Sequence, residues 1–347
     1  MNVMKKILTI VVPAYNVEKY IRQNLDSLTG LENRDALEVL VIDDGSKDST
    51  GAIADEYFEK YPQCIRVIHQ NNRGHGGTIN TGIQEAAGKY FKVVDGDDWV
   101  DTLELDKYLK KLEILDEDLV FTDYTEYYEN TGKTKKFELP LVAETTLFPQ
   151  NMKIDSFILM HYYTIKTEVL REMPVRIDEN CYYVDMEYII YPLPFVKSIR
   201  YEKLNLYCYR LGRRGQSVSA EGFRKHYKEN EKMVRAVFSY YRKMTQEKSF
   251  KNDNYLLQYY MPLRIFDLLW RHELKCMWFL KGEEKSLSRY LREVDNEVKE
   301  ESKELYNFFE MSVGRKYSLS NFQIKLLRLT GFRLWPFVRL KKKLARK

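Results

Sequence analysis

Residues 90–98 read Tyr-Phe-Lys-Val-Val-Asp-Gly-Asp-Asp, a largely apolar run that stops at three carboxylates. The run 90–94 predicts a β-strand, and residues 7–12, 37–42 and 65–69 are short β-rich runs of the same kind. Segments with helical spacing separate these four runs. The βαβαβαβ order, with right-handed crossovers, predicts an α/β fold on a mostly parallel sheet with flanking helices.

Acidic groups follow two of these strands at the point where each strand ends. Asp43 and Asp44 follow the second strand. Asp95, Asp97 and Asp98 follow the fourth. Because such sheets bind ligands at the carboxyl ends of their strands, both groups are candidate ligand contacts. The Asp-x-Asp pattern suits Mg²⁺ or Mn²⁺ bound to a diphosphate, although each group alone is also typical of a solvated turn.

Composition bounds the class of protein. The chain has 347 residues, of which 31% are charged and 44% are hydrophobic, which is typical of a globular protein and excludes disordered, collagenous and disulfide-stapled classes. No apolar run reaches the roughly 18–20 residues needed to cross a bilayer, and the run after Lys6 is too short for a signal peptide. Four dispersed cysteines predict reduced thiols, without zinc or disulfides, in a cytoplasmic protein.

Positive charge is concentrated at the end of the chain. Residues 315–347 contain eleven Lys or Arg and no Asp or Glu, whereas the rest of the chain has an acidic excess. Aromatic and aliphatic residues lie among these cations, a composition that suits an anionic membrane surface. The alternative is a helix docked on the rest of the protein with a solvated basic end. Nucleic-acid binding is not expected, because the acidic body offers no basic groove.

Four blocks in the first 105 residues resemble the signatures of family 2 glycosyltransferases. They are Val-Val-Pro-Ala-Tyr-Asn (11–16), Val-Ile-Asp-Asp-Gly-Ser (41–46), the glycine-rich block 74–83 and Val-Val-Asp-Gly-Asp-Asp (93–98). Their order and spacing are those of the family. The resemblance implies a GT-A fold, a nucleotide-diphosphate-sugar donor and inversion at the anomeric carbon.

The resemblance assigns roles to residues by position. The implied metal ligands are Asp95, Asp97 and Asp98, and the implied nucleotide-sugar-binding residues are Pro13, Ala14, Tyr15, Asn16, Asp43, Asp44, Arg73, Asn80, Asp95, Gly96, Arg210, Gln216 and Ser217. The last three lie in the basic loop 209–219, whose guanidinium groups suit a diphosphate. Ile79 stands where family members often have arginine, and Arg73 and His75 are candidates to replace its polar contacts.

Inverting transfer needs a base that removes the acceptor proton. The family places an Asp or Glu for this purpose at the start of a helix beyond Asp-x-Asp. Asp185 matches that position, and Glu187 is the weaker candidate. The alternative for Asp185 is that it only caps the helix.

The domain organisation follows from the same patterns. Residues 1–220 are predicted to form a GT-A catalytic domain, with a nucleotide-binding half (1–105) and an acceptor half (106–220). A helical extension (221–314) and the basic amphipathic tail (315–347) complete the chain.

These features predict a metal-dependent inverting glycosyltransferase. It would move a hexose or N-acetylhexosamine from a UDP-sugar to a glycan or lipid-linked acceptor in surface polysaccharide assembly. Mg²⁺ or Mn²⁺ is the expected cofactor, and the inner face of the cell membrane is the expected location. The enzymatic alternative is a sugar nucleotidyltransferase, although residues 13–16 lack the Gly-rich, Lys/Arg-containing loop typical of that class. The non-enzymatic alternative is a nucleic-acid-binding protein.

Overall fold

The computed structural model describes residues 6–150, 157–213, 216, 219–246, 254–280, 289–293, 296 and 299–300. They belong to two compact units. The first unit comprises residues 1–216 and 251–258, and the second comprises 217–250 and 259–347. The basic tail lies outside the described residues, and the domain boundaries at 220 and 314 stay predictions.

A ten-stranded mixed sheet forms the centre of the first unit. Its strands are β1 (Leu8–Ala14), β2 (Leu37–Asp43), β3 (Ile65–His69), β4 (Tyr90–Val93), β5 (Trp99–Val100), β6 (Leu119–Tyr128), β7 (Lys133–Phe137), β8 (Thr146–Leu147), β9 (Tyr163–Lys166) and β10 (Ile199–Leu211). Their order is β3-β2-β1-β4-β9-β6-β10-β5, with β7 paired to β6 and β8 to β10. The first four strands in this order are parallel, as are β6 and β10. Strand β9 is antiparallel to both β4 and β6 and joins the two halves of the sheet.

Helices connect the parallel strands. They are α1 (Ile21–Thr29), α2 (Thr50–Lys60) and α3 (Gly74–Glu85), and α4 (Thr102–Ile114), α5 (Thr167–Arg171) and α6 (Asp185–Ile190) follow. Short 3-10 turns lie at Arg34–Ala36, Met160–Tyr162 and Leu193–Phe195. This succession confirms the predicted βαβαβαβ order and the α/β class.

The core of the first unit lies on both faces of the parallel strands. Every residue of β1, β2 and β4 is buried, as expected for central strands covered on both sides. Because these three strands are parallel, the turns that follow them leave the sheet at one edge. The acidic groups at 43–44 and 95–98 are therefore neighbours in the fold.

Helix α3 begins at Gly74, whereas the sequence predicts a glycine-rich turn over 74–77 and a helix only from Thr78. The cause is the side chain of Asp44, whose carboxylate accepts hydrogen bonds from the backbone amides of Arg73 (2.9 Å) and Gly74 (2.8 Å). Amides at a helix start lack partners within the helix, so this carboxylate stabilises the earlier start.

The described part of the second unit is helical. Its helices are α7 (Ala220–Gln246), which departs from helical geometry at His226, and α8 (Met261–Phe279), which follows a π-helical turn at Leu256–Tyr260. The two helices pack together, and buried His272 Nδ1 lies 2.9 Å from Asn230 Oδ1. The predicted helical C-terminal region is confirmed for these residues. Across the described residues, we find no helix with the length and apolar content needed to span a membrane.

Candidate active site

The Asp-Gly-Asp-Asp turn after β4 is fixed by neighbouring elements. Asn24 of α1 donates from Nδ2 to the carbonyl oxygens of Asp95 and Asp98, at 3.0 Å each. The Gly96 amide donates to the Pro13 carbonyl at 3.0 Å, and a Cβ at position 96 would lie 2.9 Å from that oxygen. Glycine therefore lets the turn approach β1 closely.

The three carboxylates of this turn offer oxygens within 4.8 Å of one another, yet their contacts differ. Asp95 Oδ1 lies 2.9 Å from His75 Nε2 of α3, and Asp97 forms an ion pair with Arg213. Burial alone would raise the pKa of Asp95, but the charge and hydrogen bond of His75 outweigh it and lower that pKa. Burial raises the pKa of Asp97 in spite of Arg213.

Asp98 is held by protein donors. It is only 1% exposed, and it accepts hydrogen bonds from the Tyr207 hydroxyl at 2.5 Å and from the Arg210 amide at 2.7 Å. Burial and the charges of Asp97 and Asp95 raise its pKa well above the usual value. Since both Asp98 oxygens accept hydrogen bonds within the protein, the arrangement favours Asp95 and Asp97 as metal ligands.

The donor set of this turn fits a hard divalent cation. Carboxylate oxygens are the ligands that Mg²⁺ and Mn²⁺ prefer. Three carboxylates this close repel one another, so cations near them are stabilising. His75 and Arg213 supply part of that compensation. A divalent ion bound by Asp95 and Asp97 would supply more.

Asp185, the predicted base, is the first residue of α6 and is half-buried. Burial raises its pKa to about 6; His75 opposes this rise, and the charge of Asp95 adds to it. Since the charges of His75 and Asp95 both act on Asp185, it lies near the Asp-x-Asp turn, across a space that we call the cleft. A carboxyl group with this pKa is mostly ionised at neutral pH and can accept a proton.

Glu187, the weaker candidate, has a contact of another kind. It is fully buried in α6, and its Oε2 accepts a hydrogen bond from the Asp178 amide at 2.8 Å. This bond ties the chain before α6 to the helix. The arrangement favours Asp185 over Glu187 as the residue that faces the cleft.

The predicted nucleobase contacts begin at the end of β1. Pro13 and Ala14 are its last residues, and Tyr15 beyond them is 50% exposed. The Asn16 side chain accepts a hydrogen bond from the Lys47 amide at 2.8 Å, which joins the turns after β1 and β2. The exposed Tyr15 ring offers a surface on which a base can stack.

Asp43 and Asp44 organise the same edge of the sheet. Asp43 Oδ2 lies 2.9 Å from His69 Nδ1, and its Oδ1 accepts from the Ser46 amide at 3.0 Å. Asp44 accepts from the Gln70 side chain at 2.7 Å, in addition to the amides at the start of α3. Contact of either carboxylate with a nucleobase stays a prediction.

Arg73 and Asn80, predicted to bind the donor, contact the chain that leads to Asp185, and their contact with a donor stays a prediction. Arg73 forms an ion pair with Glu179, and Asn80 Nδ2 donates to the Ile177 carbonyl at 2.8 Å. Neither contact is predicted by the sequence, because about one hundred residues separate the partners.

Two of the loop residues predicted to contact the diphosphate are engaged inside the protein. Arg210 is 6% exposed, and its guanidinium lies 4.9 and 4.7 Å from the ring centroids of Tyr20 and Trp99. Gln216 Nε2 donates to the Arg210 carbonyl at 2.7 Å. Ser217 lies outside the described residues.

Arg213 of the same loop, for which the sequence predicted no role, reaches a carboxylate of the turn. Its guanidinium contacts the carboxylate of Asp97, whereas Arg210 donates to the carbonyl of Asp97 at 2.8 Å. The available signal was the cluster of arginines at positions 210, 213 and 214, but spacing alone does not tell that Arg213 rather than Arg210 contacts the carboxylate of Asp97.

Two aromatic residues, to which the sequence assigned no role of their own, also lie near these carboxylates. The rings of Tyr209 and His161 stack with centroids 4.1 Å apart. Burial and the charges of the Asp-x-Asp turn and of Asp185 raise the pKa of Tyr209, which locates its ring near both groups. Burial lowers the pKa of His161 to about 3. No local pattern marks His161, because long-range strand pairing brings it here.

Residues 9–174 match the sequence model of the family described as "Glycosyl transferase family 2". The curated relative "Putative glycosyltransferase EpsH" of Bacillus subtilis (strain 168) is 30% identical over 213 residues, which cover 59% of this chain and 60% of EpsH. Glycosyltransferase GlyA of Streptococcus pneumoniae is 34% identical over 125 residues, which cover 36% of this chain and 18% of GlyA. The chain thus spans less than two thirds of either relative.

A solved structure extends the likeness to the fold. The crystal structure of S. aureus TarS 1-349 in complex with UDP-GlcNAc has a TM-score of 0.53 at 18% identity, over 89% of this chain and 92% of that chain. At this identity the likeness concerns the fold alone, and it confirms the predicted GT-A architecture.

The GT-A sheet and the family match over residues 9–174 together identify a glycosyltransferase domain. Residues 9–174 are a domain of glycosyl transferase family 2, and the predicted resemblance is confirmed. This membership disfavours both alternatives, the sugar nucleotidyltransferase and the nucleic-acid-binding protein.

Proposed function

We propose that the protein is a metal-dependent inverting glycosyltransferase, which moves a hexose or N-acetylhexosamine from a UDP-sugar to a hydroxyl of a glycan or lipid-linked acceptor. The observation that carries the proposal is the closeness of two acidic groups: His75 of α3 contacts Asp95, and the charges of both act on Asp185, the first residue of α6. The Asp95–Asp97 pair is suited to bind a metal ion and Asp185 is suited to accept a proton, and the proposed reaction uses both.

The proposed reaction is a single displacement. The acceptor oxygen bonds to the anomeric carbon while the bond from that carbon to the diphosphate oxygen breaks. Asp185 takes the acceptor proton, and the nucleoside diphosphate leaves with the bonding electron pair. Attack on the face opposite the diphosphate inverts the anomeric configuration.

Stabilisation of the leaving diphosphate is assigned to the Asp-x-Asp turn and its arginine. A divalent ion held by Asp95 and Asp97 would neutralise part of the developing charge. The Arg213 guanidinium can bind two phosphate oxygens at once. We assign this contact to Arg213 rather than Arg210, because Arg210 is packed between aromatic rings.

UDP is the proposed nucleotide carrier. The exposed Tyr15 ring and the carboxylates of Asp43 and Asp44 lie at the edge where the base would bind. The structure of TarS, which shares the fold, contains UDP-GlcNAc.

The proposed location is an anionic membrane surface on the cytoplasmic side, bound through residues 315–347. Each basic residue near such a surface contributes about 1 kcal/mol of binding free energy, so a few suffice. A lipid-linked acceptor in surface polysaccharide assembly would meet the active site there. In liposome flotation we expect binding to phosphatidylglycerol vesicles that weakens with salt and on replacing Lys341, Lys342 and Lys343 by Gln. Equal binding to neutral vesicles would contradict this location.

A thermal-shift panel of nucleotide sugars tests the donor and metal together. Ligand binding to the native state raises the melting temperature, so a UDP-sugar with Mn²⁺ should give the largest shift. The Asp97→Ala variant should lose that shift while remaining folded. A shift of equal size without Mn²⁺ would contradict metal dependence, and equal shifts from all nucleotides would contradict the UDP assignment.

A further inference from the structure

The first turn of α3 packs directly on the chain that ends at the proposed base. We define residues 177–185 as the base segment. A Cβ at Gly76 would lie 2.0 Å from the Asp178 carbonyl oxygen, a distance that no side chain can occupy. A Cβ at Gly74 would lie 3.2 Å from the Asn180 amide nitrogen. Glycines at these positions bring the helix backbone against the base segment.

Asn80 joins α3 to the base segment by a pair of hydrogen bonds. Its Nδ2 donates to the Ile177 carbonyl at 2.8 Å, and its Oδ1 accepts from the Ile177 amide at 3.1 Å. Asn80 is only 5% exposed, so these bonds are shielded from water. An amide side chain that satisfies both backbone groups of one residue fixes its position and orientation together.

Two further contacts strengthen this connection. Arg73 Nε donates to Glu179 Oε2 at 2.8 Å within their ion pair, and the Asn180 amide donates to the Arg73 carbonyl at 2.7 Å. At the other end, the Glu187 carboxylate accepts from the Asp178 amide. The base segment is thereby held to α3 on one side and to α6 on the other.

The base segment has a backbone that needs such support. Asn180 and Tyr183 have positive φ angles of 50° and 68°, a conformation that non-glycine residues adopt rarely. Conformations of this kind persist where surrounding contacts enforce them. Loss of the contacts with α3 would let the segment relax and would move Asp185.

We propose that Asn80 is a positioning residue that sets the location of Asp185 relative to the Asp-x-Asp turn, rather than a donor ligand. Helix α3 is suited to this role, because its His75 contacts Asp95 while its Asn80 holds Ile177. One helix thus fixes the position of the proposed base relative to the proposed metal site. The expected fall in turnover rests on the proposed function. The expected change in the structure of the base segment does not.

The kinetic test compares Asn80→Ala with wild type and with Gln84→Ala, a control on an exposed site of the same helix. The measured rate is the release of UDP in the presence of Mn²⁺. The donor is whichever of UDP-glucose, UDP-galactose and UDP-GlcNAc the wild type turns over fastest. We expect kcat to fall about 10- to 100-fold in Asn80→Ala, because small displacements of a catalytic group have effects of this size. The Kd for UDP with Mn²⁺ should stay within about twofold of wild type, and Gln84→Ala should behave as wild type.

A double-mutant cycle separates positioning from a general structural loss. In the Asp185→Asn background, Asn80→Ala should cause little further loss, because the group it positions is gone. Fully additive losses, or a loss confined to UDP affinity, would overturn the inference. Glu179→Ala breaks the ion pair with Arg73, which is more exposed than the Asn80 hydrogen bonds. It should show the same pattern with a smaller loss of kcat. This variant replaces Asn80→Ala in the test if Asn80→Ala folds poorly.

Amide hydrogen exchange gives a readout that does not need turnover. Peptides that cover residues 177–190 should exchange faster in Asn80→Ala, while peptides from β1 and β2 should not change. Unchanged exchange over 177–190 would overturn the role of Asn80. If wild type releases UDP from none of the three donors, the proposed function fails, and the exchange result still decides the role of Asn80.

Discussion

The guanidinium of Arg213 forms an ion pair with the carboxylate of Asp97, the central residue of the proposed metal and diphosphate site. Arg210, three residues earlier, is buried and binds the backbone of the same aspartate. The loop thus uses one arginine to shape the Asp-x-Asp turn and presents another to the cleft. These two roles lead to opposite expectations for substitutions of the two residues.

Arg213→Ala should slow transfer and leave the fold intact. Loss of a cation that stabilises the leaving diphosphate should lower kcat by about 10²-fold, as for other groups that bind developing charge. Arg213→Lys should recover part of the rate, since it keeps the charge but not the two-point geometry. Steady-state kinetics with thermal melts as control would measure this, and a wild-type kcat in Arg213→Ala would contradict the assignment.

Arg210→Ala should instead lower the melting temperature. The substitution removes a buried guanidinium that packs on Tyr20 and Trp99 and holds the Asp97 carbonyl. Truncation of such a group leaves partners unsatisfied at a cost of about 1–3 kcal/mol. An unchanged melting temperature would show that Arg210 is not part of the scaffold.

The pH dependence of kcat should report Asp185. A base acts only when ionised, so the rate should rise with pH through about 6, the pKa to which burial raises this carboxyl, and should level off above it. Asp185→Asn should reduce kcat by about 10²–10⁴-fold and remove this rise. Glu187→Gln should leave the pH profile in place, and an equal loss of kcat and of the rise in Glu187→Gln would move the role to that residue.

Buried His161 should make the protein sensitive to acid. Burial lowers its pKa from 6.5 to about 3, so the unfolded state takes up the proton first and stability falls as pH falls from about 6.5 towards 3. Between pH 7 and pH 5, wild type should lose about 2 kcal/mol more free energy of unfolding than His161→Phe. Urea unfolding at the two pH values measures this difference, and equal losses in the two proteins would refute it.

Local sequence patterns predicted the nucleotide-binding half of the fold well. Strands β1 and β2 are apolar runs that end in polar turns, and the shared edge of Asp44 and Asp95 follows from parallel pairing. Helix α3 starts earlier in the chain than predicted, because the side chain of Asp44, which follows β2, caps its first amides. Local periodicity carries no signal for a cap supplied from thirty residues away.

The parts of the site that the sequence did not predict depend on contacts between distant residues. Strand β9 inserts antiparallel between β4 and β6 and brings the adjacent 3-10 turn, with His161, beside Tyr209. Asn80 contacts Ile177 across the two halves of the domain. The choice between Arg210 and Arg213 depends on which side chain packs against Tyr20, just before α1, and Trp99 of β5. The spacing of residues along one segment predicts none of these contacts.

The most direct test of the proposed chemistry is transfer from a UDP-sugar followed by NMR of the product. Wild type with Mn²⁺ should release UDP and yield a product whose anomeric configuration is opposite to that of the donor. Asp97→Ala, and wild type with EDTA, should each lose this transfer while remaining folded. Product of retained configuration, or near-normal turnover by Asp97→Ala, would contradict a metal-dependent inverting transfer at the Asp-x-Asp turn.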